Sequence, residues 1–117
     1  MRPDEGDLAY VWDMRRFALE VQDLVAGVTY DRFAREWQLR RAIERSIEIV
    51  GEAANRVSQE YRSLHSEIPW NAIVAQPNVL AHDYGDIRDD AIWRVATLRI
   101  PELLDLLSPM LDEGEAG

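Results

Sequence analysis

At 117 residues the chain has room for one core, because a domain of this size buries roughly 65% of its unfolded surface and two halves would bury too little. Its 47% hydrophobic and 30% charged residues fall in the ordinary globular range. The absence of cysteine excludes a disulfide framework and a thiolate metal site and points to a reducing, cytoplasmic setting.

The formal charge of −9 opposes tight nonspecific binding to phosphate backbones. All thirteen basic residues are arginine. The Met1-Arg-Pro-Asp-Glu-Gly-Asp7 opening is too acidic for a targeting signal, and no apolar run reaches membrane-spanning length.

From Leu8 to Val28, the apolar residues Val11, Met14, Ala18, Val21, Val25 and Val28 recur at steps of three and four, which predicts an amphipathic helix ended by Gly27. A second and longest helix is expected from the capping pair Thr29 and Asp31 onward. It carries Phe33, Trp37, Ile43, Ile47, Val50, Ala54, Val57, Tyr61 and Leu64, with Gly51 marking a bend or a close backbone crossing.

Ser66-Glu-Ile-Pro-Trp70 reads as a break and a restart, since Pro69 suits a first helical turn that needs no amide donor. The short third helix, with Trp70, Ile73 and Val74 on one side, runs into Pro77, where a kink or a restart is expected. A last helix presents Ile92, Val95, Ala96, Ile100, Leu103, Leu107 and Met110, bent at Pro101. Large aromatics such as Trp12, Trp37, Trp70 and Trp93 are expected mostly in the core.

With no strand-like alternation and no repeat, these elements predict an all-α, up-and-down bundle of four to five helices. A single domain over residues 1–112 is expected, with a frayed tail at 113–117.

His65 and His82 belong to no metal-ligand spacing, so no metal is expected, and no phosphate-loop, dinucleotide or serine-hydrolase motif is present. The one dense group of chemically capable side chains is Asn78-Val-Leu-Ala-His82-Asp-Tyr84-Gly-Asp86. Asn78 and His82 share a helix face at a spacing of four. Spacing alone favours a histidine capping a helix C-terminus and a tyrosine packed in the core.

Five segments in register over some ninety residues add a further reading. They are Asp13-Met14 through Phe33, Arg41 through Arg56, Glu67-Ile-Pro-Trp70, Asn78 through Tyr84, and Ile92-Trp93 with Ile100-Pro-Glu-Leu-Leu104. In order and spacing the chain resembles the HepT toxins of the HEPN superfamily.

The resemblance implies a HEPN-type helical homodimer that cuts RNA without metal or other cofactor. It also implies a partner, a minimal nucleotidyltransferase antitoxin that silences the toxin by adding AMP to a tyrosine. The family hallmark is an arginine, four residues, a histidine, any residue and a tyrosine. By that match His82 is the catalytic histidine, Tyr84 the modified tyrosine and Asn78 a supporting polar residue. The arginine position holds Pro77.

Metal-free RNA cleavage needs a base for the 2′-hydroxyl, which imidazole supplies, and a fixed cation for the phosphate, which proline does not. Loss of one such contact costs on the order of 10²–10³ in rate. An attenuated or inactive nuclease is therefore expected. Arg88 is the nearest substitute cation, with Arg41 and Arg45 of the second helix able to approach from a partner subunit, against the plain reading of all three as solvated or salt-bridged surface. The alternative is a non-catalytic helical module that still engages the nucleotidyltransferase.

Overall fold

The computed structural model describes residues 3–75 and 85–116, with side chains over 6–75 and 89–111. All its described elements are helical and no strand occurs among the described residues. In chain order they are α1 (Pro3–Val25), α2 (Tyr30–Arg35), α3 (Trp37–Arg56), α4 (Gln59–Leu64), α5 (70–75), α6 (Gly85–Arg94), a π-helical turn (Val95–Arg99) and α7 (Ile100–Ala116).

Helices α1 and α3 run antiparallel: Asp7 near the start of α1 reaches Ser58 just past the end of α3, and Tyr10 and Asp13 share a shallow groove with Ile49, Ala53 and Arg56. The α1 stripe emerges as read, since Val11, Met14, Ala18 and Val21 are fully buried. They pack with Ile43, Ile47, Val50 and Ala54 of α3, also fully buried, and with the α7 side of the core. At roughly 1.5–3 kcal/mol per fully buried large aliphatic side chain, this three-helix seam is the main source of stability. Gly27, at φ 71°, takes the left-handed position that closes α1 two residues after Val25.

The expected single helix from Thr29 to Leu64 is three helices. Thr29 Oγ1 accepts from the Arg32 amide at 3.2 Å and starts α2, but Glu36 is extended (φ −97°, ψ 93°) and ends it. The α3 run then stops at Val57 (φ −69°, ψ 136°), and Ser58 caps α4 by accepting from the Tyr61 amide at 3.1 Å. Each break resets the helical phase. Phe33, Val57 and the α3 residues stay buried, whereas Trp37 (58% exposed) and Leu64 (73%) leave the stripe predicted for them. Gly51 is buried within α3.

Tertiary hydrogen bonds hold these breaks open. Arg40 donates to the Ala34 carbonyl at 2.6 Å, and Arg62 donates to the Ala54 and Val57 carbonyls at 2.9 and 3.1 Å, so guanidinium groups satisfy helix C-termini that a continuous helix would have satisfied itself.

In the last segment the core positions Ile92, Ala96, Ile100 and Leu104 follow three consecutive steps of four. On a regular helix each such step drifts by roughly 40°, so the row would wind off its face. The π-turn widens the helix at this place, and the Ile100 amide bonds to the Val95 carbonyl five residues back. Pro101, which has no amide to give to Thr97, follows at once. The bend expected at Pro101 is thus realised as a π-turn before it. Beyond it the face continues through Leu107 to Leu111, with Met110 only partly buried.

Candidate functional site

Pro77, Asn78, His82 and Tyr84 lie outside the described residues, and Arg88 lies on α6 without a described side chain. What the structure shows is the scaffold on either side of that segment.

On the upstream side, α5 is fixed by Ile68, Trp70 and Ile73, all buried. The Trp70 indole N–H donates to the His65 carbonyl at 3.0 Å, and the Tyr61 ring packs edge-on to Trp70 at 6.3 Å. Pro69, Ala72 and Ile73 face Val95, Ile100, Leu103 and Leu106 across an apolar cleft of about 320 Å³. The chain therefore enters the segment from a helix seated beside the π-turn and α7.

Downstream, α6 begins at Gly85, immediately after Tyr84, and is fastened at two points. Trp93 packs on Phe33 at 5.0 Å and on Tyr30 at 6.0 Å between ring centres, joining α6 to α2. Asp89 pairs with Arg40 of α3 at 3.5 Å, both side chains being largely shielded from solvent. Neither tie was visible in the sequence: they join residues 60 and 49 positions apart, and only the aromatic character of Phe33 and Trp93 hinted at one of them.

The arginines considered as substitute cations separate. Arg45 donates to Glu48 at 3.1 Å and Glu52 at 3.2 Å, and these hydrogen bonds hold its guanidinium above the usual arginine range. It is a surface ion pair within α3, as the plain reading anticipated. Arg41 is exposed and lines, with Glu44, Arg45 and Glu48, a hollow of about 430 Å³ on α3. Glu44 is itself buried.

A polar cluster outside the motif was not anticipated. The buried Asp7 carboxylate accepts from the Ser58 amide at 2.8 Å and from the Ser58 hydroxyl at 2.6 Å, while the same hydroxyl caps α4. Tyr61 stacks on His65 at 4.4 Å, and His65 Nδ1 lies 3.6 Å from Glu67. Burial first, then the charges of Asp7 and Glu67, raise the Tyr61 hydroxyl above the ordinary tyrosine range. The fixed hydrogen bonds make this a structural clasp closing the α1, α3 and α4 ends.

No group of three or more histidine, aspartate or glutamate side chains is placed to hold a metal ion among the described residues. Among the same residues no helix is long and apolar enough to cross a membrane.

Comparison with known proteins places this scaffold. The family model "Ribonuclease HepT-like" matches residues 14–110. A protein of Caldanaerobacter subterraneus named "Putative RNase" is 37% identical over 79 residues, covering 68% of this chain and 70% of its own length. One of the same name from Methanocaldococcus jannaschii is 26% identical, covering 81% of this chain and 87% of its own length. A "Probable ribonuclease HepT" of Thermococcus cleftensis is 24% identical, with 80% and 86% covered. No solved structure matches.

Proposed function

The chain belongs to the HepT-like ribonuclease family of the HEPN superfamily, and from that membership we propose that it is the toxin member of a toxin–antitoxin pair whose RNA-cleaving site is crippled by Pro77. The observation that carries this reading is the family match across residues 14–110, which spans the whole of the arginine–histidine–tyrosine motif, with proline at the arginine position.

In this reading the protein is a cytoplasmic homodimer. His82 is the general base that takes the proton of the RNA 2′-hydroxyl, and Asn78 supports the phosphate by hydrogen bonding. The cleavage needs no metal. The 2′-oxygen attacks the adjacent phosphorus, the 5′-oxygen leaves, and the negative charge gathering on the phosphate calls for a guanidinium fork. Pro77 has no donor to offer, and Arg88 is the remaining arginine nearest in sequence. Tyr84, two residues past His82, is the hydroxyl to which a cognate nucleotidyltransferase transfers AMP from ATP, releasing pyrophosphate and placing bulk and charge beside the base.

Cleavage of RNA by the purified chain is compared with Pro77→Arg and with Pro77→Arg carrying His82→Ala. Restored arginine is expected to raise the rate on the order of 10²–10³ and His82→Ala to abolish the gain. Unaided cleavage that falls with Arg88→Ala identifies that arginine as the cation.

Pro77 also favours a second reading, a non-catalytic module retained for its partner. That reading takes over when neither protein cuts RNA yet the nucleotidyltransferase and ATP raise the intact mass by one or more AMP groups, a gain that Tyr84→Phe removes.

A further inference from the structure

Trp37 opens α3 with 58% of its surface exposed, the most exposed tryptophan among the described residues. One turn on, at the spacing that places two side chains on one helix face, stands Arg41. The same stripe continues through Glu44, Arg45 and Glu48 and holds the hollow of about 430 Å³. Arg45 is committed to Glu48 and Glu52, Arg40 to Asp89, Arg32 to Glu36 and Arg35 to Asp31. Arg41 alone of the five arginines between residues 32 and 45 has no ion pair among the described residues. An exposed indole one turn from a guanidinium that has no ion pair among the described residues offers one stacking face and one cation to a nucleotide.

Position strengthens the case. The residue before Arg41 is tied to Asp89, and Asp89 stands four residues into α6, roughly 6 Å of helix from Gly85, where the chain leaves the motif. Helix α3 is therefore tied, one residue from Arg41, to the helix that follows the motif segment.

We propose that Trp37 and Arg41 form a nucleotide platform for single-stranded RNA, the indole stacking on a base and the guanidinium holding the adjoining phosphate. Stacking on an aromatic face tolerates any base, and a single free guanidinium binds one phosphate. This proposal rests on the ribonuclease reading and adds to it the surface that positions the substrate. Glu44 and Glu48 border the phosphate position and limit it to one backbone contact, so the bases supply most of the affinity.

The test is fluorescence anisotropy of a labelled single-stranded RNA oligonucleotide titrated with the full chain, with helicity checked for each variant. Trp37→Ala is expected to raise Kd roughly tenfold, and Trp37→Phe to keep it within about threefold. Arg41→Ala is expected to raise Kd and to flatten the plot of log affinity against log salt by about 0.7. Leu98→Ala, at a similarly exposed apolar residue on the π-turn, leaves Kd as it was.

Unchanged Kd in both Trp37→Ala and Arg41→Ala overturns the platform. So does a weakened Kd that follows dissociation of a dimer in sedimentation, since Trp37 is then a contact between copies. Cleavage by Pro77→Arg with the same KM after either substitution overturns the platform and leaves the ribonuclease reading standing. Neither binding nor cleavage overturns both.

Discussion

The Arg40 guanidinium joins two parts of the chain: it donates to the Ala34 carbonyl at the end of α2 and pairs with Asp89 on α6, the helix that follows residues 76–84. One side chain thus sets the angle between α2 and α3 and anchors the exit of the motif. A carbonyl at a helix end accepts a charged donor there, and the partial shielding of both partners preserves more of the Coulombic attraction than a surface pair retains.

Arg40→Ala is expected to lower unfolding free energy by about 2 kcal/mol, combining a lost charged hydrogen bond with a weakened pair. Asp89→Asn is expected to cost about 1 kcal/mol, with a double-mutant coupling of about half a kcal/mol or more. Urea denaturation of the four proteins measures this. Strict additivity removes the claim that the two residues act on one another.

Asp7 and Ser58 close the other end of the bundle across 51 positions of sequence. Asp7→Ala leaves a half-buried amide and hydroxyl without their acceptor and is expected to cost about 1–2 kcal/mol. Asp7→Asn keeps an oxygen for the amide and offers an N–H to the hydroxyl, so it is expected to lose about half as much. Equal losses in the two variants show that the charge, rather than the hydrogen-bond geometry, matters.

The same pair explains what was legible in the sequence. The stripes of α1 and central α3 depend on local periodicity alone, and Val11 through Val21 and Ile43 through Ala54 took their predicted places. The breaks at Glu36 and Val57 are held by Arg40 on Ala34 and by Arg62 on Ala54 and Val57, contacts that leave no periodicity in residues 29–64, and Arg40 and Ser58 are tied in turn to Asp89 and Asp7 far along the chain. Ser58 is the one local cue, a good cap inside a helix reading that its neighbours Val57 and Tyr61 outvoted. Pro101 signalled a distortion but not its kind, because the π-turn answers the four-residue spacing of the core as well as the missing amide. The assignment of His82 and Tyr84 rests on family resemblance, since histidine and tyrosine at that spacing also serve as cap and core.

Gly27 separates backbone strain from packing. A Cβ built there meets nothing within 4 Å, so the positive φ of 71° is the sole obstacle to a side chain. Gly27→Ala is expected to cost about 1 kcal/mol, and Gly27→Asn less, because asparagine tolerates the left-handed region better. Equal stability of Gly27→Ala and the parent, by thermal melting, shows that the turn relaxes to another conformation.

Tyr61 links the Asp7 clasp to pH. Its hydroxyl is raised in the folded chain by burial, and then by the negative charges of Asp7 and Glu67, while the unfolded chain ionises near the ordinary value of about 10. Between those two values the folded state holds a proton that the unfolded state has released, so unfolding is favoured as pH rises. Tyr61's contribution is whole below pH about 10 and is lost as pH climbs toward its folded value. Tyr61→Phe removes the phenol and keeps the ring that stacks on His65 and meets Trp70. Unfolding free energies measured from pH 8 to 11 are expected to fall more steeply in the parent than in Tyr61→Phe, with the curves parallel below pH 9. Parallel curves throughout the range place the phenol in the same environment folded and unfolded, which contradicts the burial that raises it.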